Sequence, residues 1–198
     1  MKENSLTFTS MKLFMILLGC TPAGRLTEQH DIFFGIGSSV ESLVPQFNIF
    51  WPEANGELHI DSWREVTAVD NHSIEVISKE NTISTHPSLF FINLGGYKEN
   101  DLEEYHYKLL SVDKTLAKAS KKSMATAFYK HCGFKGAESH LDEKYGIDID
   151  DIHNVAEILP ASLKSQYALK ITKKMGVLPE DKLHVGYLAL SKLTKKQL

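Results

Sequence analysis

The sequence has 198 residues, 42% of them hydrophobic, and a formal net charge of only −3. A chain this long and this apolar buries a core, which excludes a disordered protein. The small, mixed charge lacks the basic surface that nucleic-acid binding requires, so we expect no nucleic-acid partner. The two cysteines, Cys20 and Cys132, are far apart and form no Cys-x-x-Cys motif, which favours a reducing, cytoplasmic location.

The first element is an apolar run over residues 13–18 that ends at Gly19 and Cys20. It looks like the end of a bacterial lipoprotein signal, but it is shorter than the usual apolar region of such a signal and far shorter than a membrane span. A nearly identical run over residues 89–94 lies in mid-chain, where no signal can operate. We therefore predict two buried strands, each ending in a glycine turn, and no membrane partner.

The two runs begin two copies of one unit. With a spacing of 76 residues, eight of the 31 pairs from Leu13 to Leu43 are identical, including Gly19 with Gly95, Glu28 with Glu104 and His30 with His106. Further along, a spacing of 81 places His59-Ile60-Asp61 on His140-Leu141-Asp142. Self-similarity of this kind indicates an internal tandem duplication.

Each unit reads as β-β-α-β-β. In the first unit, Ser38 and Glu41 have the spacing of a capping box at the start of the helix. The predicted fold class is α+β, with two tandem repeats packed about a pseudo-twofold axis and a C-terminal β-hairpin built from 167–171 and 184–190. The predicted divisions are a flexible extension (1–10), repeat unit 1 (11–80), repeat unit 2 (87–160) and a C-terminal extension (161–198) that packs on the repeats in one body.

Acidic and histidine residues are among the positions that both copies keep. Alternate side chains of a strand share a face, so Glu28 emerges with His30, and His59 emerges with Asp61. If these strands are neighbours, each unit presents two imidazoles and two carboxylates in one patch. The candidate ligand-binding residues are Glu28, His30, His59, Asp61, Trp63, Glu104, His106, His140 and Asp142.

Such a patch suits three kinds of chemistry. Imidazole and carboxylate groups bind zinc, manganese or iron, with His30, His59 and Asp61 as the candidate ligands. Without a metal, one histidine can act as a base that Glu28 or Asp61 orients. The same pairs can also form a hydrogen-bonded network that only fixes strand register. The sequence requires no cofactor and leaves a divalent metal open, while Trp63, two residues after Asp61, would suit a ligand wall.

Gly19, residues 28–31 and residues 59–63 resemble a bacterial family known only as domain of unknown function 1543, which occurs in one or two copies per chain. The resemblance covers about residues 11–159, and it is closer in the first unit. The second unit departs from it at Tyr107, where the first has Asp31, and at Lys144, where the first has Trp63. The resemblance implies a bacterial, cytoplasmic protein, and it favours the first unit as the working one.

These observations lead to three hypotheses about function. The leading one is a soluble protein that binds a small molecule at a duplicated Glu/His/His/Asp site. The second is a hydrolase or isomerase with a histidine base, and the third is a structural or protein-interaction module. A homodimer through exposed strand edges remains an open alternative for the assembly.

Overall fold

The described part of the chain comprises residues 10–81, 87–125 and 147–194 of a computed structural model. Within it the fold is α+β, with three sheets in which every neighbouring pair of strands is antiparallel. No helix in these residues is long and apolar enough to cross a membrane. The predicted N-terminal extension, apart from Ser10, lies outside the described residues, as do Cys132, His140, Asp142 and Lys144.

The first sheet has the strand order β10-β3-β1-β2. Its strands are β1 (Lys12–Cys20), β2 (Gln29–Gly37), β3 (His59–Glu65) and β10 (His184–Ala189). β1 contains the apolar run that predicted a buried strand, and it lies between β3 and β2 with most of its side chains buried. The prediction of a buried strand at this position is confirmed.

A second three-stranded sheet has the order β7-β6-β8. Its strands are β6 (Ser88–Tyr97), β7 (Glu104–Asp113) and β8 (Ile147–Asn154). β6 is the mid-chain apolar run, and it again occupies the centre of its sheet. The predicted strand over residues 89–94 is therefore confirmed as well. The glycine turn predicted at the end of each run is wrong, because Gly19 pairs with His30 inside β1 and Gly95 pairs with His106 inside β6.

The third sheet is small and has the order β4-β5-β9. It contains β4 (Ala68–Val69), β5 (His72–Ser78) and β9 (Tyr167–Lys173). The predicted C-terminal β-hairpin is wrong, because β9 pairs with β5 whereas β10 pairs with β3. Each tail strand joins an open sheet edge, where unpaired backbone groups gain partners.

Five α-helices occur in the described residues: α1 (Val44–Phe50), α2 (Leu116–Ser123), α3 (Val155–Ile158), α4 (Ala161–Gln166) and α5 (Leu190–Thr194). The capping box expected at Ser38 is absent. A 3-10 turn at Glu41–Leu43 begins after Val40 without a side-chain cap, and the Ser42 hydroxyl group bonds to Ser39 instead. The bend that this turn produces leads the chain into α1.

The sheets pack face to face, and helices cover their outer faces. Leu13 and Met15 of β1 belong to an inter-sheet core that also includes Phe34 of β2 and Phe91 of β6. Phe14 and Ile16, on the other face of β1, pack in a cluster that α1 and α5 cover. A third cluster lies between β6 and α2. Successive side chains of β1 thus pack into two different clusters, as expected for a strand that is buried on both faces.

Candidate functional site

Four predicted site residues of the first unit converge. His59 Nε2 lies 2.9 Å from Glu28 Oε1 and 3.4 Å from Asp61 Oδ1. His30 Nε2 lies 3.1 Å from Asp61 Oδ2 and 3.4 Å from Glu28 Oε2. Each carboxylate therefore bridges both imidazoles through its two oxygen atoms. We call Glu28, His30, His59 and Asp61 the polar quartet.

The quartet forms around Gly19 of β1. His30 on β2 and His59 on β3 are both the direct cross-strand partners of Gly19, so their side chains emerge on the same face of the sheet. A Cβ atom at position 19 would lie 2.5 Å from His59 Nε2 and 2.8 Å from Asp61 Oδ2. Only glycine leaves room for these two side chains against the backbone of β1.

A β-bulge positions Asp61. On one side of β3, Ile60 pairs with Leu18 and Ser62 with Leu17, so Asp61 has no partner in the ladder with β1. The ladder between β3 and β10 also shifts at this point: Val185 pairs with Ser62 before the shift, and Leu188 pairs with Ile60 after it. Bulges redirect side chains at functional sites, and here the extra residue is an acid that faces two histidines.

Tyr187 covers the quartet from β10. Its ring centroid lies 4.6 Å from that of His59, at an interplanar angle of 35°. Gly186, with φ +130, forms the irregular part of β10 that places Tyr187 there. Sequence reasoning missed Tyr187, although a glycine inside a strand is a recognised sign of a bulge.

The quartet contains buried polar atoms without hydrogen-bond partners. The His59 side chain is only 8% exposed, and neither its Nε2 atom nor Asp61 Oδ2 makes a hydrogen bond. Glu28 and His30 are more open, at 43% and 40% exposed. Within the described ranges, the two histidines are the only ion-pair partners of Glu28 and Asp61. An unpartnered buried polar group is costly and calls for an explanation such as an absent ligand.

The part of the chain that the structure describes holds no group of three or more His, Cys, Asp and Glu side chains that could hold a metal ion, the quartet included. In the quartet, the two oxygen atoms of each carboxylate point to different imidazoles. Cys20 offers no further ligand, because it packs in the cluster on the opposite face of β1. Burial, followed by the charges of Glu28 and Glu57, raises the pKa of its thiol, which opposes thiolate chemistry.

A cavity of about 570 Å³ lies on the same face of β1 as the quartet, between the first sheet and β7. Leu17 and Ser62 line it, and Leu17 precedes Gly19 by two residues, about 7 Å along the strand. Arg64 also lines it, and its guanidinium makes a weak contact of 3.8 Å with Met15 Sδ. Burial lowers the pKa of Arg64, whereas the charges of Asp181 and Glu180 oppose that shift.

The structure leaves the other predicted site residues apart from the quartet. Trp63 stacks on His184 with a centroid distance of 3.9 Å and packs with Phe14 in the opposite-face cluster. In the second unit, His106 Nε2 lies 4.0 Å from Glu104 Oε2. The residues predicted to complete that patch, His140 and Asp142, lie outside the described residues.

Comparison with known proteins finds a family match to part of the chain and a solved structure with a similar fold. Residues 25–76, which contain the whole quartet, match the family model described as Domain of Unknown Function (DUF1543). Over 91% of its length this chain is similar to the crystal structure of a protein Il1583 from Idiomarina loihiensis, covering 98% of that chain with a TM-score of 0.58. The sequence identity is 20%, so this similarity shows the fold alone. None of the curated proteins matches the chain.

Proposed function

We propose that this chain is a small-ligand-binding protein and that the polar quartet is its binding site. The observation that carries the proposal is the buried Nε2 atom of His59, which makes no hydrogen bond although carboxylate oxygens of Glu28 and Asp61 lie within 3.4 Å of it. Two acidic groups that lack Lys and Arg partners in the described residues favour a ligand that is a cation or donates hydrogen bonds. The neighbouring cavity gives an organic ligand room, with Arg64 able to pair with an acidic group.

We infer further that the chain contains two copies of one unit and that the first copy carries the working site. Lys12 pairs with Gly37 in the first sheet and Ser88 with Asp113 in the second, a shift of 76 residues in both strands. The ladder of β8 with β6 also has a bulge, between Ile149 and Asp151. These shared registers support a duplication with pseudo-twofold packing.

The registers also support a different equivalence in the second copy. Asp148 of β8 pairs with Gly95, just as His59 pairs with Gly19. On this alignment, position 148 of the sequence, an aspartate, corresponds to His59. The second copy would then have one histidine at this level of the sheet, which favours a single site per chain.

A stability measurement separates a binding site from a structural network. We expect Asp61→Asn to leave the melting temperature unchanged or to raise it by a few degrees, because binding sites hold groups that are not optimal for stability. Thermal melts without ligand measure this, and His72→Ala, which removes a half-buried histidine bonded to the Asp70 carbonyl oxygen, gives the cost of losing a structural histidine for comparison. A clear loss of stability in Asp61→Asn alone would show that the quartet is a structural network.

Ligand-induced stabilisation provides the second part of the test. A panel of divalent metal ions, simple amines and free amino acids is added to the wild-type chain and to His59→Ala. The proposal expects at least one class to raise the melting temperature of the wild type and not that of His59→Ala. Equal shifts in both proteins, or no shift with any class, would contradict it.

A further inference from the structure

We propose that the cavity beside the quartet is a binding site for a small organic carboxylate and that Arg64 holds the carboxylate group. The cavity has a volume of about 570 Å³, within the range of about 300–1,000 Å³ that small-molecule sites occupy. No quartet residue lines it. The inference therefore goes beyond the proposed function, because it does not need the quartet and rests on Arg64 rather than on His59.

Arg64 lies where a core side chain would be expected. Its direct partner across the ladder of β3 with β1 is Met15, which belongs to the inter-sheet core, so the Arg64 side chain leaves β3 on that same face. Ser62, two residues earlier, shares this face, and its direct partner on β1 is Leu17. The inner face of β3 is thus polar opposite apolar residues of β1, and the cavity occupies the space in front of it.

The Arg64 guanidinium group has no carboxylate partner among the described residues. It contacts Met15 Sδ at 3.8 Å, and a thioether sulfur is a weak acceptor for a group with five N–H donors. The side chain is half-buried, and burial lowers its pKa. Arginine is rarely taken out of water without a partner, because an uncompensated buried cation is costly. The guanidinium group is therefore available to an anion that enters the cavity.

The three acidic side chains that line the cavity do not fill this role. Both oxygens of Asp181 accept hydrogen bonds from residues 67–68. Asp70 accepts hydrogen bonds from a hydroxyl group and a backbone N–H group of β7 and pairs with Lys122. Glu180 is exposed to solvent. The acids thus leave the Arg64 N–H groups without an oxygen acceptor, although Asp181 and Glu180 lie close enough to affect its pKa.

The charge and the walls of the cavity favour one class of anion. A planar guanidinium group can donate two parallel N–H bonds to a carboxylate or a phosphate. Because Asp181 and Glu180 place negative charge near Arg64, a ligand with one negative charge fits better than a doubly charged phosphate. The apolar part of the lining comes from β1, β2 and β7 and includes Met15, Leu17, Ile32, Leu109 and Leu110. A monocarboxylate with an apolar body satisfies both parts of the cavity.

Thermal melts of the full chain with straight-chain carboxylates test the inference. Butanoate, hexanoate and octanoate are each compared with the matched primary amide, which has nearly the same shape but no charge. We expect at least one carboxylate to raise the melting temperature of the wild type more than its amide does. Arg64→Met keeps an apolar stem and removes the charge, so it should weaken carboxylate binding by at least about tenfold in calorimetric titration.

Two further variants serve as controls. Arg25→Met makes the same change at the other arginine of the sequence, which is exposed, and it should bind carboxylates as the wild type does. Arg64→Lys keeps the charge without the planar fork, so its affinity should lie between those of the wild type and Arg64→Met. This second change at position 64 still tests the site if Arg64→Met folds poorly.

Three results would overturn the inference: no carboxylate stabilises the wild type, the amides stabilise it as strongly as the carboxylates, or a folded Arg64 variant binds carboxylates as tightly as the wild type. The carboxylate shift should persist in His59→Ala, because the quartet does not line the cavity. If carboxylates fail while an amine stabilises the wild type and not His59→Ala, the inference falls and the proposed function stands. If carboxylates bind through Arg64 and no probe depends on His59, the inference stands and the proposed function falls.

Discussion

Gly19 determines the site at the scale of a single residue, although it has no functional group. The side chains of His59 and Asp61 pack against its α-carbon and leave no room for a Cβ atom. The polar identities of the quartet could be predicted from the sequence, because Glu28 and His30 recur as Glu104 and His106. The contact between Glu28 and His59 could not be predicted from the sequence, since it depends on which strands flank β1.

Gly19→Ala should therefore disable the quartet without removing a ligand atom. The new Cβ atom would lie 2.5 Å from His59 Nε2, so the imidazole must move away from the carboxylates. We expect the free energy of unfolding to fall by about 1–3 kcal/mol, the usual cost of overpacking, and the stabilisation by a bound ligand to be lost. Chemical denaturation and thermal melts with the ligand panel measure these changes. Stabilisation of Gly19→Ala by a ligand as strong as that of the wild type would argue against the quartet as the binding site.

At the scale of elements, local patterns predicted the strands but not their partners. The apolar runs of β1 and β6 identify central strands because both of their faces must be buried. The tail strands were expected to pair with each other, but β9 and β10 separate to complete two different sheets. The bulge at Asp61 and the irregularity at Gly186 arise from that pairing, and their side-chain directions depend on tertiary contacts.

Asp181 anchors the segment that carries β10. Its carboxylate accepts hydrogen bonds from the backbone N–H groups of Thr67 and Ala68 and from the Thr67 hydroxyl group, more than 100 residues away in sequence. Asp181→Ala leaves these donors without their acceptor, so we expect the free energy of unfolding to fall by about 1–3 kcal/mol. Asp181→Asn, which keeps one carbonyl acceptor, should lose less. Denaturation curves compare the three proteins, and equal stability would show that the anchor contributes nothing.

At the scale of the whole molecule, the inter-sheet core joins the first and second sheets. Phe34 of β2 meets Phe91 of β6 with ring centroids 5.5 Å apart and an interplanar angle of 61°. Asp70, in the left-handed turn between β4 and β5, accepts hydrogen bonds from Ser111 Oγ and from the Val112 N–H group and pairs with Lys122. Neither sheet can separate from the other without exposing this core, so unfolding should be one cooperative transition.

A double-mutant cycle measures that coupling. We expect Phe34→Leu and Phe91→Leu to be non-additive, with an interaction energy of about 0.5–1.5 kcal/mol from the edge-on aromatic contact. Phe90 faces the other side of β6, so Phe34→Leu combined with Phe90→Leu should be additive within about 0.5 kcal/mol. Additivity in both pairs would mean that the two sheets do not support each other through this contact.

The origin of β10 has a consequence for how the site is made during synthesis. Glu28, His30, His59 and Asp61 leave the ribosome early, but Tyr187 and the outer neighbour of β3 come from a segment translated more than 120 residues after Asp61. Until β10 has emerged, a nascent chain thus carries His59 and Asp61 on an open-edged strand. A chain that stops before β10 keeps β3 exposed as an edge for mispairing and lacks the Tyr187 ring beside His59.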